Sequence, residues 1–268
     1  MALDCTFVKR LLLILVPLLL SALGGVHALM VEGYDPAVND RFSSGYPDAP
    51  VPNGSPKFIG RNLDWSGVGW WKKDPQYSVT LLSSKNFAYT MHMTPQTGDL
   101  ITFLGRDGNL HDYHVSKLQM VKIGKSGTDT IYADTAVGTF DETVPLDDRV
   151  THYPVAFSQK GFESFIGKKI LMYGHMARIG NNTILEGIML EGMASEYNFT
   201  TVGLTAGMGK SEVGDSGSPA FIVIGGKLAL VGTHWKTDTD SMASGIIPGM
   251  NSIMAGDGEK LEVVPLGE

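Results

Sequence analysis

The chain has 268 residues, a formal net charge of -7 and a single cysteine. That is long enough to bury a sufficient core without staples, and one cysteine excludes a disulfide scaffold. The acidic balance argues against nucleic acid as a partner.

The first 28 residues read as a secretory signal peptide. Lys9-Arg10 is a short basic patch, residues 11–23 are apolar, and Val26-His27-Ala28 is a small-residue cleavage site. The apolar run is short for a membrane span, and the alternative reading is an uncleaved anchor. Cys5 lies inside this segment, so the mature chain has no cysteine. Residues 29–56 are rich in Pro, Gly, Asp and Ser without periodicity and read as an irregular arm.

From about Phe58 onward the text is short strands and turns. Strands are expected at 78–82 and 86–91, around Ser83-Ser84-Lys85, and at 101–104 and 110–115, around a turn containing Asp107-Gly108. Two more are expected at 118–123 and 130–140. After Pro145 the signals resume at 169–176, 183–191, 199–202, 219–224 and 228–233, with Gly225-Gly226 closing the last hairpin. No long 3.6-period helix is present, and a short helix is expected at 248–255. This pattern predicts an all-β fold, a barrel or sandwich. Trp65, Trp70 and Trp71 are read as core or rim packing.

The chemistry centres on Gly214-Asp215-Ser216-Gly217-Ser218-Pro219-Ala220-Phe221. Glycines on both sides of Ser216 let the backbone bend sharply and present the hydroxyl. The amides of Gly214 and Ser216 can then form an oxyanion hole. An apolar run, residues 220–224, follows as a strand that anchors the loop.

This stretch resembles the nucleophile loop of the chymotrypsin/trypsin-like serine peptidases, Gly-Asp-Ser-Gly-Gly-Pro. Ser218 replaces the second glycine after the nucleophile, as in the glutamyl-specific endopeptidases of that fold. The G-x-S-x-G elbow fails, because Ser218 stands two after Ser216 and a strand follows, not a helix. The resemblance covers roughly residues 58–255 and implies two six-stranded antiparallel barrels packed together, with the active site between them. It divides the chain into a first barrel at 57–150, a second at 151–256 and a tail at 257–268.

A serine nucleophile needs a base and an orienting carboxylate. Of the histidines, His111 and His114 sit on a hairpin arm with Asp112, and His152 and His175 have no motif around them. His92 ends an apolar strand, Asn86-Phe87-Ala88-Tyr89-Thr90-Met91-His92, which resembles the family's Thr-Ala-Ala-His with Met91 in place of an alanine. Asp134, in Ala133-Asp134-Thr135-Ala136-Val137, is similar to the family's aspartate at the head of an apolar strand. Asp129, Asp141 and Asp147-Asp148 read as surface. The order His92, Asp134, Ser216 is the chymotrypsin order.

By the same resemblance Lys210 stands at the floor of the primary specificity pocket, with Ser211 beside it. Leu230-Val231-Gly232-Thr233-His234-Trp235 is similar to the glutamyl endopeptidases' wall strand, whose His contacts a substrate carboxylate. These positions imply cleavage after acidic residues. Asp215 could pair with a freed N-terminal amine, as in zymogen activation, although no Ile/Val-Gly cleavage site is visible. No HExxH or paired-cysteine motif is present, so no metal or cofactor is expected. The expected function is a secreted serine endopeptidase acting on polypeptide. It is read as a monomer with no nucleic-acid partner and no membrane association after signal cleavage. The alternatives are a protease-fold binding protein that has lost catalysis, and an esterase on the same scaffold.

Overall fold

A computed structural model describes residues 29–146, 149–189, 196–201, 208–212, 214–236 and 239–267. The signal segment and Asp147-Asp148 lie outside them. Among the described residues no helix is long and apolar enough to cross a membrane.

The arm is more ordered than its composition predicts. It carries β1 (Met30–Val31), a short helix α1 (Pro36–Asn39), β2 (Phe42–Ser44) and β3 (Val51–Pro52). Asp35 caps α1 by accepting from the Ala37 amide at 2.9 Å. Apolar residues spaced too irregularly to read as a period, Leu29, Val31 and Phe42, are buried against the body.

Residues 68–140 form a closed antiparallel barrel. Its strands are β4 (Val68–Trp71), β5 (Ser78–Leu81), β6 (Asn86–Thr90), β7 (Leu100–Leu104), β8 (Leu110–Ser126) and β9 (Asp129–Phe140), in the order β4-β5-β6-β9-β8-β7. The expected segments at 110–115 and 118–123 are one strand. Ser116, between them, sits at a register shift from Val115 to Lys117, so the apparent break is a bulge. All five residues of β6 are buried, which hides its alternation. Phe87 and Tyr89 fill the barrel with Phe103, Tyr113 and Phe140. Ala88 joins a second cluster that contains Phe221 and Leu230 from the other half of the chain.

The second half holds β10 (Val155–Phe157), β11 (Lys169–Gly174), β12 (Arg178–Met189), β13 (Glu196–Thr201), β14 (Gly209–Lys210), β15 (Pro219–Ile224), β16 (Lys227–Lys236), β17 (Thr239–Met242), α2 (Ile247–Ala255) and β18 (Val263–Pro265). The order β15-β11-β12-β13-β17-β16 returns to β15 through the β15–β16 hairpin, giving a six-stranded ring. β10 adds to β16 in parallel and carries β18 on its far side. β12 begins earlier than expected. Gly180 lies against the Gly209 backbone, where an added Cβ would fall 2.7 Å from the Gly209 Cα. Buried Asn182 donates to the Gly209 carbonyl at 2.6 Å. The molecule is thus all-β with one closed six-stranded antiparallel barrel, an architecture compatible with a chymotrypsin-like fold.

Candidate active site

β6 ends at Thr90, and one further ladder bond, Met91 N–H to the Asp134 carbonyl at 2.7 Å, ties the chain after it to the middle of β9. His92 emerges there, at the rim of the closed barrel. Its Nδ1 lies 2.8 Å from Asp134 Oδ1. A carboxylate only accepts, so Nδ1 carries the proton and Nε2 presents a lone pair. Nε2 lies 2.8 Å from Ser216 Oγ, which donates to it. The structure therefore brings His92, Asp134 and Ser216 into one hydrogen-bonded row across the two halves of the chain.

Asp134 is held from a second side. The Thr90 hydroxyl donates to Asp134 Oδ2, and its oxygen lies 2.8 Å from His92 Nδ1. Thr90 is buried and the Asp134 side chain is only 7% exposed, while His92 is 35% exposed. A buried carboxylate needs such donors. Sequence reasoning did not single out Thr90. Its place two residues before His92, on the same side of the chain, was the available signal.

Ser216 occupies a corner of a reverse turn closed by Ser218 N–H donating to the Asp215 carbonyl at 2.9 Å. Gly217 takes the third position with φ +79, the left-handed value that a type II turn requires there. It also runs so close to the first barrel that an added Cβ would fall 2.8 Å from the Ser78 carbonyl oxygen. The turn is fastened to β16: Gly217 N–H donates to the His234 carbonyl at 3.1 Å, and His234 N–H to the Ser218 carbonyl at 2.8 Å. Gly214 has φ +105. Among the described residues, the amides of Gly214 and Ser216 donate to no backbone carbonyl.

Asp215 is fully buried beneath the turn. Its Oδ1 accepts from the His175 amide at 2.6 Å and its Oδ2 from the Glu212 amide at 2.7 Å. Burial raises its carboxyl to about 6, against the pull of those two amides and of nearby His234. His175 begins a tight turn in which Met176 and Ala177 have φ +62 and +59. Its ring is buried, and burial lowers its pKa against the opposing pull of the Gln76 backbone.

The four expected pocket residues are less open than an exposed pocket wall would be. Lys210 is half-buried on β14, opposite Met30 of the arm. Ser211 is buried, and its hydroxyl has no partner among the described residues. His234 is buried with Nδ1 3.5 Å from Asp240 Oδ1, and Trp235 is half-buried. The remaining histidines have ordinary surroundings. His111 bonds Asp107 at 3.0 Å, His114 bonds the Gly98 carbonyl at 3.1 Å, and His152 bonds Glu262 at 2.9 Å. Trp65 and Trp70 are core residues, as read from the sequence.

The arrangement can move a proton from a hydroxyl to an imidazole whose far side is held by a carboxylate, which activates the hydroxyl as a nucleophile. No protein-family model matches the chain, and no curated protein matches it.

Proposed function

We propose that this protein is a secreted serine endopeptidase of chymotrypsin-like arrangement, its two halves forming paired barrels with the reaction between them. The observation that carries the reading is the row Asp134–His92–Ser216, with both His92 contacts at 2.8 Å and all three residues in the chymotrypsin chain order. Ser216 Oγ attacks the scissile carbonyl carbon while its proton passes to His92 Nε2. The imidazolium, held by Asp134, returns that proton to the leaving amine as the peptide C–N bond breaks. Water then enters by the same base and hydrolyses the acyl ester, which restores the Ser216 hydroxyl. The amides of Gly214 and Ser216 receive the oxyanion.

Cleavage after Glu or Asp is part of the proposal. The buried Ser211 hydroxyl, without a partner among the described residues, and the His234 segment bonded to the turn support it, together with Lys210 nearby in sequence. An acidic side chain that loses its hydration needs such donors in return.

The test is labelling of the mature protein with a fluorophosphonate, followed by peptide-library cleavage. Labelling at Ser216, its loss in Ser216→Ala, and peptide cleavage support the reading. No labelling would favour a binding protein that has lost catalysis. Labelling with fast ester cleavage but no peptide cleavage would make the chain an esterase. Equal cleavage after Glu and Gln would remove the acidic preference alone.

A further inference from the structure

Arg41 is 5% exposed, and among the described residues it makes no ion pair with a carboxylate. Its Nη1 donates to the Val68 carbonyl at 2.9 Å and to the Tyr173 hydroxyl at 3.2 Å, and its Cζ lies 4.7 Å from the centre of the Phe42 ring. All three partners are uncharged. Asp40, its neighbour in sequence, and Asp64, on the same groove, are engaged elsewhere. Asp40 faces Arg178, with Nε to Oδ1 at 3.6 Å. Asp64 accepts from the Ser66 amide and hydroxyl at 3.0 and 2.6 Å, and its Oδ2 lies 3.5 Å from Arg106 Nε. A buried cation without a counter-charge is costly unless an anion can reach it.

Arg41 lines a groove of about 530 Å³ that also takes in exposed Arg61 and Arg106. Among the described residues Arg61 makes no ion pair. Against the one lining carboxylate, Asp64, the groove is therefore cationic within a chain of net charge -7. Its remaining wall is largely apolar, with Phe58, Leu63 and Leu104. None of the residues lining the groove belongs to the Ser216 site. The Val68 carbonyl that holds Arg41 is at one end of β4, where Val68 pairs with Thr80. Trp70, toward the other end, pairs with Ser78, the residue that Gly217 approaches.

We propose that this groove binds a small organic carboxylate, whose head reaches Arg41 and Arg61 and whose apolar body lies along Phe58, Leu63 and Leu104. A guanidinium fork matches a carboxylate in two parallel hydrogen bonds, and the apolar wall selects against a bare ion. The site does not depend on any chemistry at Ser216.

The experiment is calorimetric titration with 4-phenylbutyrate and, in parallel, its neutral isostere 4-phenylbutanamide. The acid binds wild-type protein with a Kd of about 1 mM or tighter, and the amide binds about tenfold more weakly. Arg61→Gln, at an exposed position, weakens the acid about tenfold and leaves the amide unchanged. Arg41→Lys, once its melting curve shows a folded protein, weakens it further, because an ammonium cannot reproduce the fork. Equal affinity for acid and amide overturns the proposal, as does unchanged affinity in Arg61→Gln or no binding of the acid at about ten times that Kd. Inorganic sulfate binding as tightly as the phenyl acid would overturn the assigned ligand class, because the apolar wall would then contribute nothing.

Discussion

Thr90 and His92 share one carboxylate. The Thr90 hydroxyl donates to Asp134 Oδ2 while His92 Nδ1 takes Oδ1 at 2.8 Å. The threonine thus fixes the rotation of the aspartate that in turn fixes the imidazole, and it acts as a positioning residue for the proposed reaction. Thr90→Val keeps the shape and removes the donor. We expect kcat to fall about tenfold or more, the cost of one hydrogen bond to a charged group, with KM little changed. Thr90→Ser should restore most of it. Equal kcat in wild type and Thr90→Val would show that Asp134 is held without this hydroxyl.

The row itself makes a stronger prediction. Ser216→Ala and His92→Ala should each lower peptidase turnover by about 10⁶, because the residues act as a unit. Asp134→Asn should cost about 10⁴ by favouring the wrong imidazole tautomer. Steady-state rates on one peptide substrate check all three, and near-normal turnover in His92→Ala would remove His92 as the base.

Gly217 is constrained twice, by φ +79 and by the Ser78 carbonyl oxygen 2.8 Å from an added Cβ. Gly217→Ala should destabilise the fold by about 2–4 kcal/mol, combining left-handed strain with a backbone clash. Chemical denaturation gives the value. A change below about 0.5 kcal/mol would mean that the turn relaxes freely away from β5.

The sign of the Asp215 effect follows from its raised carboxyl. The group moves from an ordinary 3.8 to about 6 on folding, so the native state binds the proton more tightly than the unfolded chain. Between those values stability falls as pH rises, by about 3 kcal/mol in total from this residue. Asp215→Asn abolishes that pH dependence, and its Nδ2 can no longer accept from a backbone amide, which costs about 1–3 kcal/mol. Unfolding free energies of both proteins at pH 4 and pH 7 should therefore differ more at pH 4 than at pH 7. A gap independent of pH would show that Asp215 titrates normally.

The fold was legible where a pattern is local. The β5–β6 and β15–β16 hairpins, β9 and the helix near 248–255 stand close to where alternation and turn residues place them. The glycines around Ser216 announced the turn, and the strand end at His92 announced the rim. What escaped depends on partners far along the chain. β1 exists because Met30 and Val31 pair with Lys210 and Gly209. β12 starts at Arg178 because Gly180 and Asn182, poor strand residues in isolation, meet Gly209. Thr90 looks like any strand threonine until Asp134, 44 residues on, is folded beside it. Arg41, read as part of an irregular arm, is buried by Tyr173 and Val68 from the two halves of the body.

The close approach of Gly217 to Ser78 has a mechanical side. Two members of the row ride on the closed barrel and the third on the ring, so the row tests the seam between them as a coincidence detector would. Sliding one half by about 1 Å stretches the Ser216–His92 contact past hydrogen-bond length while every strand ladder on either side stays intact. Reactivity at Ser216 would therefore be the first property lost under mild denaturant, ahead of the far-ultraviolet circular dichroism signal. Any agent that wedges the seam would abolish the proposed reaction without unfolding the protein.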